Sequence, residues 1–306
     1  MFSFSADRPQ WDQEGRDWPN RESSRFVTVA GLRWHVQEMG PDQAPVVLLL
    51  HGTGAATHSW GALMPLLARH FRVIAPDLPG HGFTGPLPMH RLSLPGVAGA
   101  VRQLLEGLEI NPALVVGHSA GAAILCRMAL DGAIDPAAII SLNGALRPFP
   151  GVAGAIFPPI AKLLFTNPLV PRFFAWSAGL DGGKRARKLI ADTGSEVDAR
   201  TLGHYVDLMR CPGHAHGALG MMAGWDLNTF QADLPTLTTP LVLVAGALDR
   251  TVDPEVADRV AAMVHAGRAV HLDGLGHLAH EEDPRRLAEL IVGEARSAGL
   301  TPLDSG

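Results

Sequence analysis

The chain has 306 residues, a formal net charge of -5, 47% hydrophobic residues and 18% charged ones. That length and composition suit a globular protein with one large core, or a core carrying an inserted subdomain. The absence of a long basic run argues against a nucleic-acid partner, because phosphate binding needs clustered Lys and Arg. The one basic cluster, Lys184, Arg185, Arg187 and Lys188, reads as a solvated helix face. Two cysteines, Cys126 and Cys211, form neither a C-x-x-C pattern nor a disulfide framework, which points to a reducing compartment. The N-terminus is polar without an apolar signal core, and no segment is long and apolar enough to span a bilayer. A cytoplasmic protein is expected. The stretch from Phe149 to Phe174 is unusually apolar, enough to rest against a membrane or a greasy partner.

In chain order, residues 1 to about 23 read as a loosely ordered lead-in. RFVTVA from Arg25 and LRWHVQEM from Leu32 are strand-like. VVLLLHG, Val46 to Gly52, is a continuous apolar run of the kind that suits a parallel strand buried on both faces. HSWGALMPLLARH from His58 reads as an amphipathic helix. FRVIAPDLPGHG from Phe71 is a buried strand entering a Gly/Pro turn. LPGVAGAVRQLLEGL is helical, ALVVGHS a strand, AGAAILCRMAL a helix and AAIISLNGA from Ala137 a strand. From Arg147 to about Leu227 there are helical segments and prolines but no convincing strand. The rhythm resumes with strand PLVLVAGALD from Pro240, helix PEVADRVAAMVH, strand RAVHLDGLGH and helix PRRLAELIVGEARSA. This alternation predicts an α/β protein with a mostly parallel eight-stranded sheet and helices on both faces. The core is expected over 1–146 and 228–306, with an inserted helical cap over 147–227.

The chemistry centres on GHSAG, Gly117 to Gly121. G-x-S-x-G between a strand and a helix is the nucleophile-elbow pattern, in which a strained serine sits between residues too small to collide with their neighbours. A serine hydroxyl needs a base within reach and a third group to orient that base. Ser119, Asp249 in GALDRTVD and His277 in GLGHLAHEEDP follow in the order Ser-Asp-His, each at the C-terminal end of an expected strand, where open parallel sheets gather their ligands. The catalytic candidates are therefore Ser119, Asp249 and His277. The oxyanion hole would take the backbone N–H of Ala120, just after the nucleophile, and that of Thr53 in HGTGAATHSW, with Gly54 as the neighbour able to replace it.

Asp253 shares a loop with Asp249, but Asp249 lies closer to the strand end. His280 falls in the start of the next helix, which disfavours it against His277. His51 and His118 flank the site, and histidines in tight turns commonly pack or hydrogen-bond. Gly54, His118, Met222 and Trp225 are the candidates for substrate contact, although Met221, Met222 and Trp225 also read as cap core. His214 and His216 make an H-x-H pair with His204 upstream, yet no hydrolytic carboxylate pattern accompanies them, so no metal and no cofactor is expected. Phe149, Ile156, Phe157, Leu163, Leu164, Phe165, Phe173, Phe174 and Trp176 are too many large apolar residues for a surface insertion to expose, and are expected to pack on the core or face a cavity beneath the cap.

From about Arg25, HGTG, DLPGHG, GHSAG, GALD and GLGHLAHEE stand in the order of the α/β-hydrolase superfamily, which the chain resembles. The resemblance implies the α/β-hydrolase fold. Dehalogenases and epoxide hydrolases of that fold use an aspartate at the elbow, so Ser119 implies acyl transfer or ester cleavage. RDWPNRESSRFVTVAGLRWHVQEMG, HGTGAATHSW, APDLPGHGFT, and IADTGS and MMAGWDL in the cap, resemble more narrowly the magnesium-chelatase accessory family of phototrophic bacteria. That resemblance implies a setting in bacteriochlorophyll biosynthesis, with a tetrapyrrole as substrate and magnesium chelatase as partner. Two readings follow: a serine esterase acting on an apolar ester, and a non-catalytic tetrapyrrole-binding or chelatase accessory that keeps the triad as ancestry.

Overall fold

A computed structural model describes residues 8–148, 169–301 and 303, leaving aside the side chain of Phe174. Its eight strands are β1 (Ser24–Val29), β2 (Leu32–Met39), β3 (Val46–Leu50), β4 (Arg72–Pro76), β5 (Leu114–His118), β6 (Ala138–Leu142), β7 (Leu241–Gly246) and β8 (Gly267–Leu272). They form one sheet in the order β1-β2-β4-β3-β5-β6-β7-β8. The β1–β2 and β2–β4 pairs are antiparallel, and every pair from β4 to β8 is parallel. This is the α/β-hydrolase architecture expected from the sequence.

The apolar runs become central strands because successive side chains point to opposite faces and both faces are covered. Leu48, Leu50, Val115 and Ile139 face α2 (Leu94–Gly107) and α3 (Ala120–Leu130). Val47, Leu49, Val116 and Ile140 face α1 (Met64–Leu67) and α11 (Pro284–Ser297). The direction of the strand order reverses between β3 and β5, which pair in register from Val47↔Leu114 to Leu50↔Gly117. A crevice at the C-terminal ends of these two strands is the ligand position that open sheets favour.

Among the described residues, only helices lie between β6 and β7: α4 (Leu169–Leu180), α5 (Lys184–Asp192), α6 (Ala199–Met209), α7 (Pro212–Gly224) and α8 (Leu227–Asp233), with a 3-10 turn at Leu234–Thr236. Phe230 and Leu234 already belong to the main core, and Asp233 pairs with Arg127 of α3 at 2.6 Å. After β7 come α9 (Glu255–Ala261), α10 (Ala279–Glu282) and α11. Among the described residues no helix is long and apolar enough to cross a membrane.

Two local expectations need correction. The segment from His58 is not one amphipathic helix but a 3-10 turn at Thr57–Trp60 followed by the four-residue α1. Gly61 closes the turn onto His58 O at 2.9 Å, and Pro65 has no N–H with which to carry a helix through. The lead-in is also tightly packed from Arg8 onward. Trp18 is 2% exposed, donates its indole N–H to Thr57 Oγ1 at 2.9 Å, and stacks edge-on to His58, Phe83 and His204.

Candidate active site

Ser119 stands between the last residue of β5 and the first of α3 with φ 49° and ψ -113°. Such a conformation is costly for a residue with a Cβ and persists only where the surroundings over-determine it. Its neighbours do so. A Cβ on Gly121 would lie 2.0 Å from Leu50 O, and one on Gly117 would lie 2.4 Å from Ala122 N. The two glycines thus let α3 press against β3 and β5, leaving the half-buried serine at the tip of the turn.

The loops after β7 and β8 bring Asp249 and His277 together. His277 Nδ1 lies 2.8 Å from Asp249 Oδ2, with both side chains buried. Asp249 Oδ2 also accepts Asn143 Nδ2–H at 2.8 Å, while its Oδ1 accepts the backbone N–H groups of Thr251 at 2.7 Å and Val252 at 2.9 Å. An acceptor so surrounded by donors is best satisfied as a carboxylate. It therefore takes the Nδ1–H of His277, and the lone pair of that ring is left on Nε2. Asp253 turns elsewhere and accepts Glu255 N–H at 3.0 Å.

His118, a candidate for substrate contact, is buried against His277. Its Nε2–H donates to His277 O at 3.0 Å, and its ring packs at 4.8 Å from that of His277 and 4.5 Å from that of His280. Burial and the two neighbouring imidazoles hold His118 well below the ordinary histidine range, so it is neutral and fixes the backbone of the His277 loop. His280 is likewise buried. Its Nε2 meets Ser59 Oγ at 2.8 Å, and burial with His277 nearby lowers it to about 3. The nearest carboxylate oxygen to its Nε2, Glu281 Oε1, stands at 3.7 Å, against 2.8 Å between His277 Nδ1 and Asp249 Oδ2.

The loop after β3 lies against the elbow. A Cβ on Gly52 would come within 2.8 Å of His118 Nδ1 and 3.0 Å of Ser119 Cβ, so only glycine fits. Neither Thr53 N–H nor Ala120 N–H meets an acceptor among the described residues. Gly54, with φ 78°, turns the chain away. The loop is anchored by a residue whose role sequence reading missed, Asp77 of DLPGHG. It accepts Thr57 N–H at 2.7 Å and Phe83 N–H at 2.9 Å, and lies 2.8 Å from His35 Nδ1. Burial alone would raise this carboxyl, but His35, His51 and the Phe83 N–H hold it well below the usual range.

The helical insertion grips the loops of the site. His214 of α7 accepts Gly82 N–H on Nδ1 at 3.1 Å and donates Nε2–H to Gly54 O at 3.0 Å. Both ring nitrogens are thereby engaged, and burial lowers its pKa to about 4. Among the described residues no cluster of three or more His, Cys, Asp or Glu could hold a metal ion. A Cβ on Gly217 would meet Gly80 O at 2.2 Å, so α7 lies directly on the β4 turn. Thr53 Oγ1 meets Met221 Sδ at 3.3 Å. Met222 and Trp225 are half-buried, and Trp225 rests on the α2–α3 side of the core.

On the other flank, the turn after α5 meets both triad loops. Thr193 O accepts Arg250 N–H at 3.1 Å, and Ser195 Oγ accepts Leu278 N–H at 2.8 Å. Tyr205 of α6 donates to Glu281 Oε1 at 2.7 Å, where burial pushes the carboxyl up to about 7. The insertion is thus clamped on two sides. IADTGS, the motif holding Thr193 and Ser195, was visible in the sequence but carried no assigned contact. Asn143, at φ 48° just past β6, gave no sequence signal at all.

The apolar residues of the insertion divide. Phe149, Ile156, Phe157, Leu163, Leu164 and Phe165 lie outside the described residues. Phe173 and Trp176, expected to pack or to face a cavity, are 66% and 61% exposed. They stand on the face of α4 opposite the buried Ala175 and Ala178, which turn inward.

A strained serine at a strand-helix elbow, a histidine oriented by a carboxylate, and a mostly parallel sheet with a helical insertion together define a class. Residues 47–290 match the family model described as the alpha/beta hydrolase family, and the chain belongs to that family. It is 38% identical over 280 residues to the magnesium-chelatase 30 kDa subunit of Rhodobacter capsulatus, covering 90% of this chain and 95% of that one. It is 27% identical over 268 residues to the pimeloyl-[acyl-carrier protein] methyl ester esterase of Vibrio vulnificus, covering 85% and 96%. An alpha/beta hydrolase fold protein from Burkholderia ambifaria superimposes with a TM-score of 0.72 at 20% identity, over 88% of this chain and 97% of that one. That likeness concerns the fold alone.

Proposed function

We propose that the protein is a serine hydrolase that cleaves an apolar carboxylic ester. The observations that carry this reading are Ser119 held at φ 49° on the elbow and, in the loops after β7 and β8, a His277 whose Nδ1 meets Asp249 Oδ2 at 2.8 Å. In the proposed cycle His277 Nε2 takes the Ser119 proton as Oγ attacks the ester carbonyl. Thr53 and Ala120 N–H groups receive the oxyanion, each lowering the barrier by on the order of 3 kcal/mol. Collapse of the adduct expels the alcohol with that proton and leaves an acyl-serine. Water, activated by His277, then releases the acid and restores Ser119.

The insertion, taken as a cap over 147–227, would cover the ester, with Met222, Trp225 and Gly54 as proposed contacts. The chelatase-subunit relative supports a substrate in magnesium-tetrapyrrole biosynthesis and an association with magnesium chelatase. It equally motivates a second reading, a non-catalytic tetrapyrrole-binding accessory.

A p-nitrophenyl ester series separates the readings. Each added methylene buried under the cap contributes roughly 0.8 kcal/mol, about fourfold in kcat/KM, until the cavity is full. Medium-chain esters are therefore expected to be cleaved faster than acetate, and porphyrin is expected to compete with them. Fastest cleavage of acetate would reject the apolar cap. Porphyrin binding without cleavage of any ester would favour the accessory reading.

A further inference from the structure

Helix α4 carries Leu169, Phe173, Trp176 and Leu180 at spacings of four, three and four residues. At about 100° per residue these fall within an arc of about 60°. All four are strongly exposed, from 61% at Trp176 to 69% at Leu180, while Ala175 and Ala178 on the opposite face are buried. The buried face packs on α6 and α7. A continuous stripe of large apolar side chains is costly to leave in water and marks a surface with a partner.

The charge beside the stripe says which partner. Helix α5 begins four residues after α4 ends, and Lys184, Arg185, Arg187 and Lys188 are all exposed. Arg185 is tied to α4 through Ser177 and to Asp181, and Lys188 to Asp192 at 2.8 Å. Lys184 and Arg187 pair with no carboxylate among the described residues. Leu189 of the same helix is 51% exposed. A chain of net charge -5 thus gathers four cations next to this exposed apolar stripe. Apolar side chains bordered by Lys and Arg match the acyl-headgroup boundary of an anionic bilayer, where Trp and Phe enter the interface and the cations meet lipid phosphates.

From this juxtaposition we infer that α4 and the start of α5 form a peripheral docking surface for anionic membranes. The protein would lie on the bilayer, with α4 flat in the interface.

Co-sedimentation with vesicles tests this, comparing phosphatidylcholine alone with phosphatidylcholine containing phosphatidylglycerol. Wild type is expected to sediment with the anionic vesicles and to be released by salt. A Phe173→Ser/Trp176→Ser double variant should lose binding by tenfold or more. Lys184→Gln and Arg187→Gln should each weaken it about fivefold. Because all four positions are exposed, circular dichroism should show an unchanged fold; if the double variant fails to fold, the two charge variants still decide. Failure of wild type to bind anionic vesicles, or undiminished binding by the folded variants, overturns the proposal. So does a lipid-free dimer that the double variant dissolves, which would make a second copy the occupant.

Discussion

Replacing Ser119 with alanine is expected to lower kcat for ester hydrolysis about 10⁶-fold while leaving the fold intact. The size of the loss follows from the triad acting as a unit: with no nucleophile, His277 and Asp249 have nothing to activate. A residue of about 10³-fold over water should survive, because oxyanion donors belonging to the backbone are untouched by the change. The fold should persist because alanine keeps the Cβ that the elbow already accommodates at φ 49°, and no side-chain bond of Ser119 caps α3. Steady-state kinetics on a medium-chain ester, with a thermal melt as control, reads both halves. Activity near wild type would remove Ser119 from the mechanism.

Asp249→Asn is expected to lower kcat about 10⁴-fold, equivalent to about 5.5 kcal/mol, with little change in KM. The hydrogen bonds explain why an isosteric change should be so damaging. Thr251 and Val252 N–H groups point at Oδ1, so the amide oxygen of an asparagine must turn to them. The amide NH2 then faces His277 Nδ1 and the donor Asn143 Nδ2. His277 can meet an NH2 only with a bare Nδ1, which moves its proton to Nε2 and removes the base. Asp253→Asn, by contrast, alters a side chain that accepts Glu255 N–H at the start of α9, a bond the asparagine oxygen can keep, and should leave stability nearly unchanged and cost less than tenfold in rate. Kinetics on the two variants side by side check the assignment; equal losses, or a larger loss at Asp253, would reverse it.

The strands were legible because their apolar runs are short, continuous and bounded by turn residues. LRWHVQEM coincides with β2 and VVLLL with β3. The elbow was legible because its constraint is local: two glycines must flank the serine, and only five residues carry the signal. Asp249 and His277 could be placed at strand ends once the alternation of strands and helices was read. What escaped were the long-range contacts that support the site rather than form it. Asn143 reaches Asp249 across 106 positions, Trp18 reaches Thr57 across 39, and His214 reaches Gly54 across 160. None of these has a periodicity. The apolar count of the insertion misled for a related reason. Composition showed that Phe173 and Trp176 were too greasy for a water-facing loop, but not that their spacing sets them on the outer face of α4.

The same long-range contacts bear on how the site works. Thr193, Ser195, Tyr205, His214 and Gly217 fasten the insertion to the loops of Asp249 and His277 and to those after β3 and β4. In such an arrangement the helices α5 to α7 hold these loops in place.

The central claim is that Ser119 is an activated nucleophile, and covalent labelling reads it most directly. Purified protein would be treated with a fluorophosphonate, and the adduct counted on the intact chain and mapped by peptide mass spectrometry. One adduct per chain is expected, on Ser119, absent from Ser119→Ala and slowed strongly in Asp249→Asn. A wild-type chain that stays unlabelled, or carries its adduct on another residue, would contradict it.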